Sequence, residues 1–264
     1  MEKRQTCDLA GIWRFEIDKE DRGFAEHWEK RRLTQTITLP GCLQAQGYGD
    51  AISEDTPWVQ SLYDALWYQR GEYAYAQENG TKVPFLSQPP RHYTGKAWYQ
   101  KTIFVPEKSD GFVGRLTLEN TKWKTTLWID GECKGSIVSL CVPHVYETGA
   151  LSAGEHIVTL CIDNGWQLPY RPDGHGVSDA LGATWNGVAG AITLELFNRV
   201  WIERVWVNAQ LPKATIQVHL KNETSDTQNC IVRVQDIART DISAKMICAL
   251  TPGSQFCELT LNYS

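Results

Sequence analysis

Residues 96–149 decide the fold: AWYQKTIFVPE over 97–107, LENTKWKTTLWIDGECKG over 118–135 and SLCVPHVYETG over 139–149. Between Thr117 and Ile129 apolar residues such as Leu118 and Trp128 alternate with polar ones, the two-residue period of a half-buried strand. Asp130-Gly131 then supplies the positive φ angles that a two-residue hairpin turn requires. The stretch therefore reads as successive antiparallel strands.

The same signal extends in both directions. Residues 11–17 (GIWRFEI) alternate cleanly, and residues 34–39 alternate up to Pro40-Gly41. The polar segment 18–32 between them is expected to hold no more than a helical turn near Phe24–Trp28. Further strands are expected at 115–118, 135–138, 156–162 and 191–196. Many short strands, turn signals between them and almost no helical period predict an all-β chain, an antiparallel β-sandwich of jelly-roll, galactose-binding-domain-like type. Two segments lack periodicity and read as long loops: 44–95, rich in Tyr, Trp, Pro and Gly, and 163–190. Loops of that length on a β scaffold are where function is placed.

Near Asn198 the pattern changes. Residues 200–208 and 215–220 alternate, 221–226 form a polar turn and 230–234 alternate again, as at the start of an immunoglobulin-like sandwich. Such a domain needs about seven strands in ~100 residues. The expected organisation is a jelly-roll domain over 1–199 and an incomplete immunoglobulin-like domain over 200–264.

Composition narrows the function classes. The 264 residues carry a net charge of −5, and Lys30-Arg31-Arg32 is the longest basic run, so neither nucleic acid nor an anionic membrane is an expected partner. No run approaches the roughly 18 apolar residues of a membrane span, and residues 1–10 are too polar for a signal-peptide core. The expected location is cytoplasmic, or periplasmic or secreted where a signal has been removed. The eight cysteines show no CxxC pair and no Cys/His ligand spacing, so neither a zinc site nor any cofactor is expected. They read as reduced thiols in apolar strands rather than as disulfides.

Several motifs fall in the order of the N-terminal sugar-binding domain of glycoside hydrolase family 2. These are GIWRF (11–15), LPGCLQAQGYGD (39–50), the two strand motifs of the opening stretch, SLCVPHVYETG, and SDALGATWNGVAGAITLE (178–195). They cover about residues 9–197, and RVWIERVWV (199–207) resembles the start of that family's immunoglobulin-like domain. The resemblance implies a parent enzyme whose (β/α)-barrel carries two glutamates working by the retaining mechanism, which needs carboxyl groups about 5–5.5 Å apart. This chain is expected to stop before the barrel and to be inactive alone, with no catalytic and no metal-binding residues. It would brace the barrel, line the β-glycoside pocket and support a homo-oligomeric parent. The family's acid/base glutamate follows an asparagine, but Asn222-Glu223 lies in the polar turn and reads as a turn.

The resemblance also implies substrate contacts from two loops: Asp179, Trp185 and Asn186 in one, Arg91 and Tyr93 in the other. Asp173, His175 and Asp179 share a Gly-rich loop and read as loop hydrogen-bonding groups rather than metal ligands. The loop aromatics Trp58, Trp67, Tyr68, Tyr73, Tyr75, Trp166 and Tyr170 divide between packing, barrel contact and sugar contact. The tryptophans at 13, 98, 123, 128, 201 and 206 read as core or interface residues. The length of 44–95 leans towards a β-galactosidase-like parent, and the lack of Arg/Lys clusters in the loops leans away from an acidic sugar. Two other readings stay open, a stand-alone carbohydrate-binding module and a structural interaction domain.

Overall fold

The computed structural model describes residues 4–53, 56–58, 71, 89–169 and 184–263. Two sheets face each other in the first part of the chain. One has four strands in the order β1 (Gln5–Asp8), β12 (Ile192–Phe197), β6 (Phe112–Leu118) and β9 (His144–Leu151). The other has six, in the order β3 (Gln35–Leu39), β2 (Gly11–Asp18), β5 (Lys96–Val105), β10 (Gly154–Asp163), β7 (Lys124–Ile129) and β8 (Glu132–Val138). All neighbours are antiparallel. Trp13, Phe15, Tyr99, Leu116, Leu118, Leu127 and Leu160 fill the space between the sheets and are fully buried. Each comes from the inward set of its strand's alternation, so the period legible in sequence is the one that builds this core.

The β7–β8 hairpin closes at Asp130-Gly131 with φ of 52° and 80°, the left-handed pair expected of a two-residue turn. Asp130 also accepts from the Ile157 amide at 2.7 Å and contacts His156 Nδ1 at 2.6 Å, which fastens the turn to β10. The segment 19–33 forms turns and one short 3-10 turn at Trp28–Lys30. It is held down by Asp18, whose carboxylate accepts from the amides of Arg22 and Gly23 and from Trp98 Nε1. Trp28 and Leu33 pack with Trp98, Trp128 and Cys161 on the outer face of the six-stranded sheet. Gly23 permits that approach, since a Cβ there would lie 2.3 Å from Trp98 Nε1.

Residues 200–262 build a second unit. β13 (Val200–Gln210), β14 (Lys213–Asn222) and β17 (Gly253–Asn262) form one sheet, and β15 (Gln228–Gln235) pairs with β16 (Ser243–Leu250). Ile216, Val218, Leu220, Val232, Leu250, Leu259 and Leu261 are buried between them. β13 differs from its neighbour. Val205 and Val207 face Val218 and Ile216 in register, yet they are 47% and 65% exposed, because nothing among the described residues covers that end of the sheet. Trp206, expected in a core or interface, projects from the opposite face and is 55% exposed. Val113, Phe197 and Trp201 form a small buried cluster where the two units meet. All eight cysteines are free thiols; Cys161 is buried and Cys133 and Cys141 are exposed. Asn222-Glu223 lies at the end of β14, where the Asn222 side chain ties Thr224, Asp226 and Leu250 into the turn that follows.

Candidate functional site

The loops converge at one end of the first sandwich, where three of them are laced together by buried amide side chains. β11 (Gly187–Val188) pairs with β4 (Gly41–Cys42). Gly187 sits at φ 141°, and a Cβ there would lie 2.2 Å from the Gly41 carbonyl oxygen, so only glycine allows this contact. Next to the pair, Gln44 is buried. Its Nε2 donates to the carbonyls of Tyr93 and Thr184, and its Oε1 accepts from the Asn186 amide at 3.1 Å.

Asn186 is the hub. Its side chain is fully buried, donates to the carbonyls of Gly95 at 3.0 Å and Ile162 at 2.9 Å, and accepts from the Tyr99 hydroxyl at 2.7 Å. Asn164 repeats the arrangement, donating to Tyr93 O at 2.9 Å and accepting from the Gly95 amide at 3.0 Å. Loop backbone cannot pair with itself as strands do, so these amides meet the need of every buried carbonyl and N–H for a partner. Burial raises the pKa of Tyr99 well above the usual tyrosine value, and burial together with the neighbouring Asp18 raises that of Tyr93. Both therefore remain neutral hydroxyl donors, Tyr99 to Asn186 and Tyr93 to the Lys96 carbonyl.

The sequence-expected contact residues separate by position. Tyr93 and Asn186 point into the lacing with their polar atoms already engaged, whereas Arg91 and Trp185 are half-buried at the surface. Asp179, Asp173 and His175 lie outside the described residues, as do Trp67, Tyr68, Tyr73, Tyr75 and Tyr170. Of the remaining loop aromatics, Trp58 is buried edge-on to His92 with ring centroids 5.1 Å apart, and Trp166 meets Trp123 edge-on at 5.2 Å. Gln44 and Asn164 were not singled out by sequence, because an isolated amide in a loop carries no period or spacing. Among the described residues no group of three or more His, Cys, Asp or Glu is arranged to hold a metal. None of the described helices is long and apolar enough to cross a membrane.

No family model matches the chain. A β-glucuronidase of Paenibacillus borealis is 26% identical over 168 residues, which is 62% of this chain and 22% of that protein. Among solved structures, a β-glucuronidase from Ruminococcus gnavus in complex with uronic isofagomine superposes with a TM-score of 0.61 at 13% identity, over 100% of this chain and 39% of that one. A β-glucuronidase from glycoside hydrolase family 2 gives 0.66 at 15% identity, over 100% of this chain and 27% of that one. The chain thus spans about a fifth of that curated protein, and in motif order and sandwich architecture it is similar to the N-terminal β-domains of family 2 glycoside hydrolases.

Proposed function

We propose that the chain serves a family 2 β-glycosidase as a non-catalytic part, with the loop end of the first sandwich forming one wall of the sugar pocket beside a catalytic barrel. The observation that carries this reading is the lacing of residues 41–50, 91–96, 162–164 and 184–187 through Gln44, Asn164 and Asn186. It ties down the ends of the two long loops at a rim, as a pocket wall requires. In this reading Asp179, Arg91 and Trp185 meet the substrate, while Tyr93 and Asn186 hold the loops that present them. The named relatives favour a β-glucuronide over a β-galactoside as the parent's substrate class, and Arg91 is a suitable partner for a uronate carboxylate. The second unit supports the same reading. In this reading β13, β14 and β17 are one sheet of an immunoglobulin-like sandwich and β15 with β16 part of the other, an arrangement that leaves one face of β13 uncovered among the described residues.

The chain alone should give no turnover of aryl β-glucuronide, β-galactoside or β-mannoside above buffer. In a full-length enzyme containing it, Asp179→Ala should lower kcat/KM by about tenfold or more, since a lost hydrogen bond to a charged group costs about 1.5–3 kcal/mol, with Tm nearly unchanged. Hydrolysis by the chain itself that is abolished by Glu223→Gln, or an unchanged kcat/KM for Asp179→Ala, would sink the reading. Tight sugar binding by the chain alone, lost in Trp166→Ala, would point instead to a stand-alone binding module.

A further inference from the structure

Away from the loop end, the outer face of the six-stranded sheet is only half covered by segment 19–33. The uncovered half is a groove of about 610 Å³, within the range of small-ligand sites. Its floor follows from strand register. Thr36, Arg14 and Gln100 stand side by side across β3, β2 and β5, and Thr102 faces Ile157 across β5 and β10. Residues 29–32 form the wall.

The groove gathers cations on a chain whose net charge is −5. Arg14, Lys30, Arg31 and Arg32 line it, and Lys101 borders it with its ammonium turned to the other face of β5, over the Trp13 ring. Among the described residues Arg31 alone of these pairs with a carboxylate, holding Glu16 through both terminal nitrogens while lying 4.2 Å over the Trp28 ring. Arg14 donates to the Leu33 carbonyl and Lys101 to those of Ala10 and Ile12. Neither they nor Lys30 and Arg32 meet an acidic side chain among the described residues. The one acid in the lining, Glu29, is buried and engaged with His27 Nδ1 at 3.0 Å. Cations confined to a concavity concentrate their field there and favour an anion. Guanidinium groups match the planar oxygens of a carboxylate or sulfate.

The rest of the lining distinguishes which anion. Ile12 and Ile157 are 69% and 47% exposed on the floor, an apolar surface suited to the face of a sugar ring, with Thr36 and Thr102 beside them as hydroxyl partners. Among the described residues no aromatic side chain lines the groove, whereas single-stranded nucleic acids are held by stacking on aromatic faces. We propose that this groove is a second binding site, for a saccharide chain bearing carboxylate or sulfate groups.

The test is a titration of the 15N-labelled 264-residue chain with a sulfated heparin tetrasaccharide and with an oligouronate. Sodium sulfate and a single-stranded oligonucleotide of similar charge serve as comparisons. One or both saccharides should shift the amides of Ile12, Arg14, Thr102 and Ile157, and binding should weaken as salt screens the charges. Arg14→Gln with Arg32→Gln should weaken it about tenfold or more, as expected for loss of charge-assisted bonds. Lys30→Gln with Arg32→Gln, two exposed side chains, should give the same direction with an unchanged Tm. Absence of shifts in these amides, wild-type affinity in both double variants, or equal or tighter binding of the oligonucleotide or of sulfate alone would overturn the proposal.

Discussion

Asn186 shows how a residue whose type suggests sugar recognition can instead be the reason the loops exist in one conformation. Replacing it with alanine removes the side-chain donor to the carbonyls of Ile162 and of Gly95, which keeps only the 3.3 Å bond from the Asn164 amide, and removes the acceptor of the buried Tyr99 hydroxyl. Each unsatisfied group costs about 1–3 kcal/mol. We expect Asn186→Ala to lower Tm by about 6–12 °C, taking roughly 3 kcal/mol and 2–4 °C per kcal/mol for a chain of this size. Thermal unfolding of the purified chain would show it, and a change under about 2 °C would mean that water replaces the side chain. His156 offers a pH-dependent counterpart. Burial opposes its charging, but the Ser152 carbonyl and the Asp130 carboxylate both favour the protonated ring, and the net pKa is raised. A raised folded pKa stabilises the fold fully below the unfolded value of about 6.5, and that contribution is lost as pH rises through the folded value. The Tm gap between wild type and His156→Gln should therefore be wider at pH 5.5 than at pH 8.5; a gap independent of pH would show that folding does not shift the pKa of the ring.

β13 and β14 lie side by side with the same alternation and opposite fates. Val207 is 65% exposed and Val218 is 2% exposed on the same face of one sheet. Val207→Thr should change stability by less than about 0.5 kcal/mol, whereas Val218→Thr buries an unpaired hydroxyl and should cost about 1–3 kcal/mol. Denaturant midpoints of the two variants measure the contrast, and equal losses would show that β13 is covered in solution. Sequence could not tell these strands apart, because alternation reports which face a residue takes but not what stands opposite. Where the opposite layer exists, as for Trp13, Tyr99 and Leu160, the alternation was enough to read the core. β1, β16 and β17 escaped for other reasons. β1 is four residues long, and β16 and β17 lie in a tail dense in polar residues. The candidate site was legible only as a region. The loops were marked by their lack of period and by family motifs, but which side chains turn inward depends on carbonyls contributed from residues 95 and 162, far away in sequence. The basic groove had one trace, the run Lys30-Arg31-Arg32, and nothing in the sequence placed Arg14 and Lys101 beside it.

Among the described residues each of the two units has its own hydrophobic core, and Val113, Phe197 and Trp201 form a small buried cluster between them. The second core is small and contains no fully buried aromatic ring, so it should give way first. Denaturant unfolding should therefore show two transitions, and a single transition with coincident probes would indicate one cooperative unit. The outer face of the second unit supplies the means to see this. Trp206 packs on His219 with ring centroids 5.1 Å apart, and His219 stacks on Phe256 at 5.5 Å. Among the described tryptophans Trp206 is the most exposed, with Trp166 and Trp185 half-buried and the others buried. A dissolved collisional quencher such as iodide will therefore act most strongly on its fluorescence while leaving the emission of Trp13, Trp98 and Trp128 in the first sandwich largely untouched. The exposed ring thus gives the second unit an intrinsic optical signal, set apart by quenching from the buried rings of the first without any label.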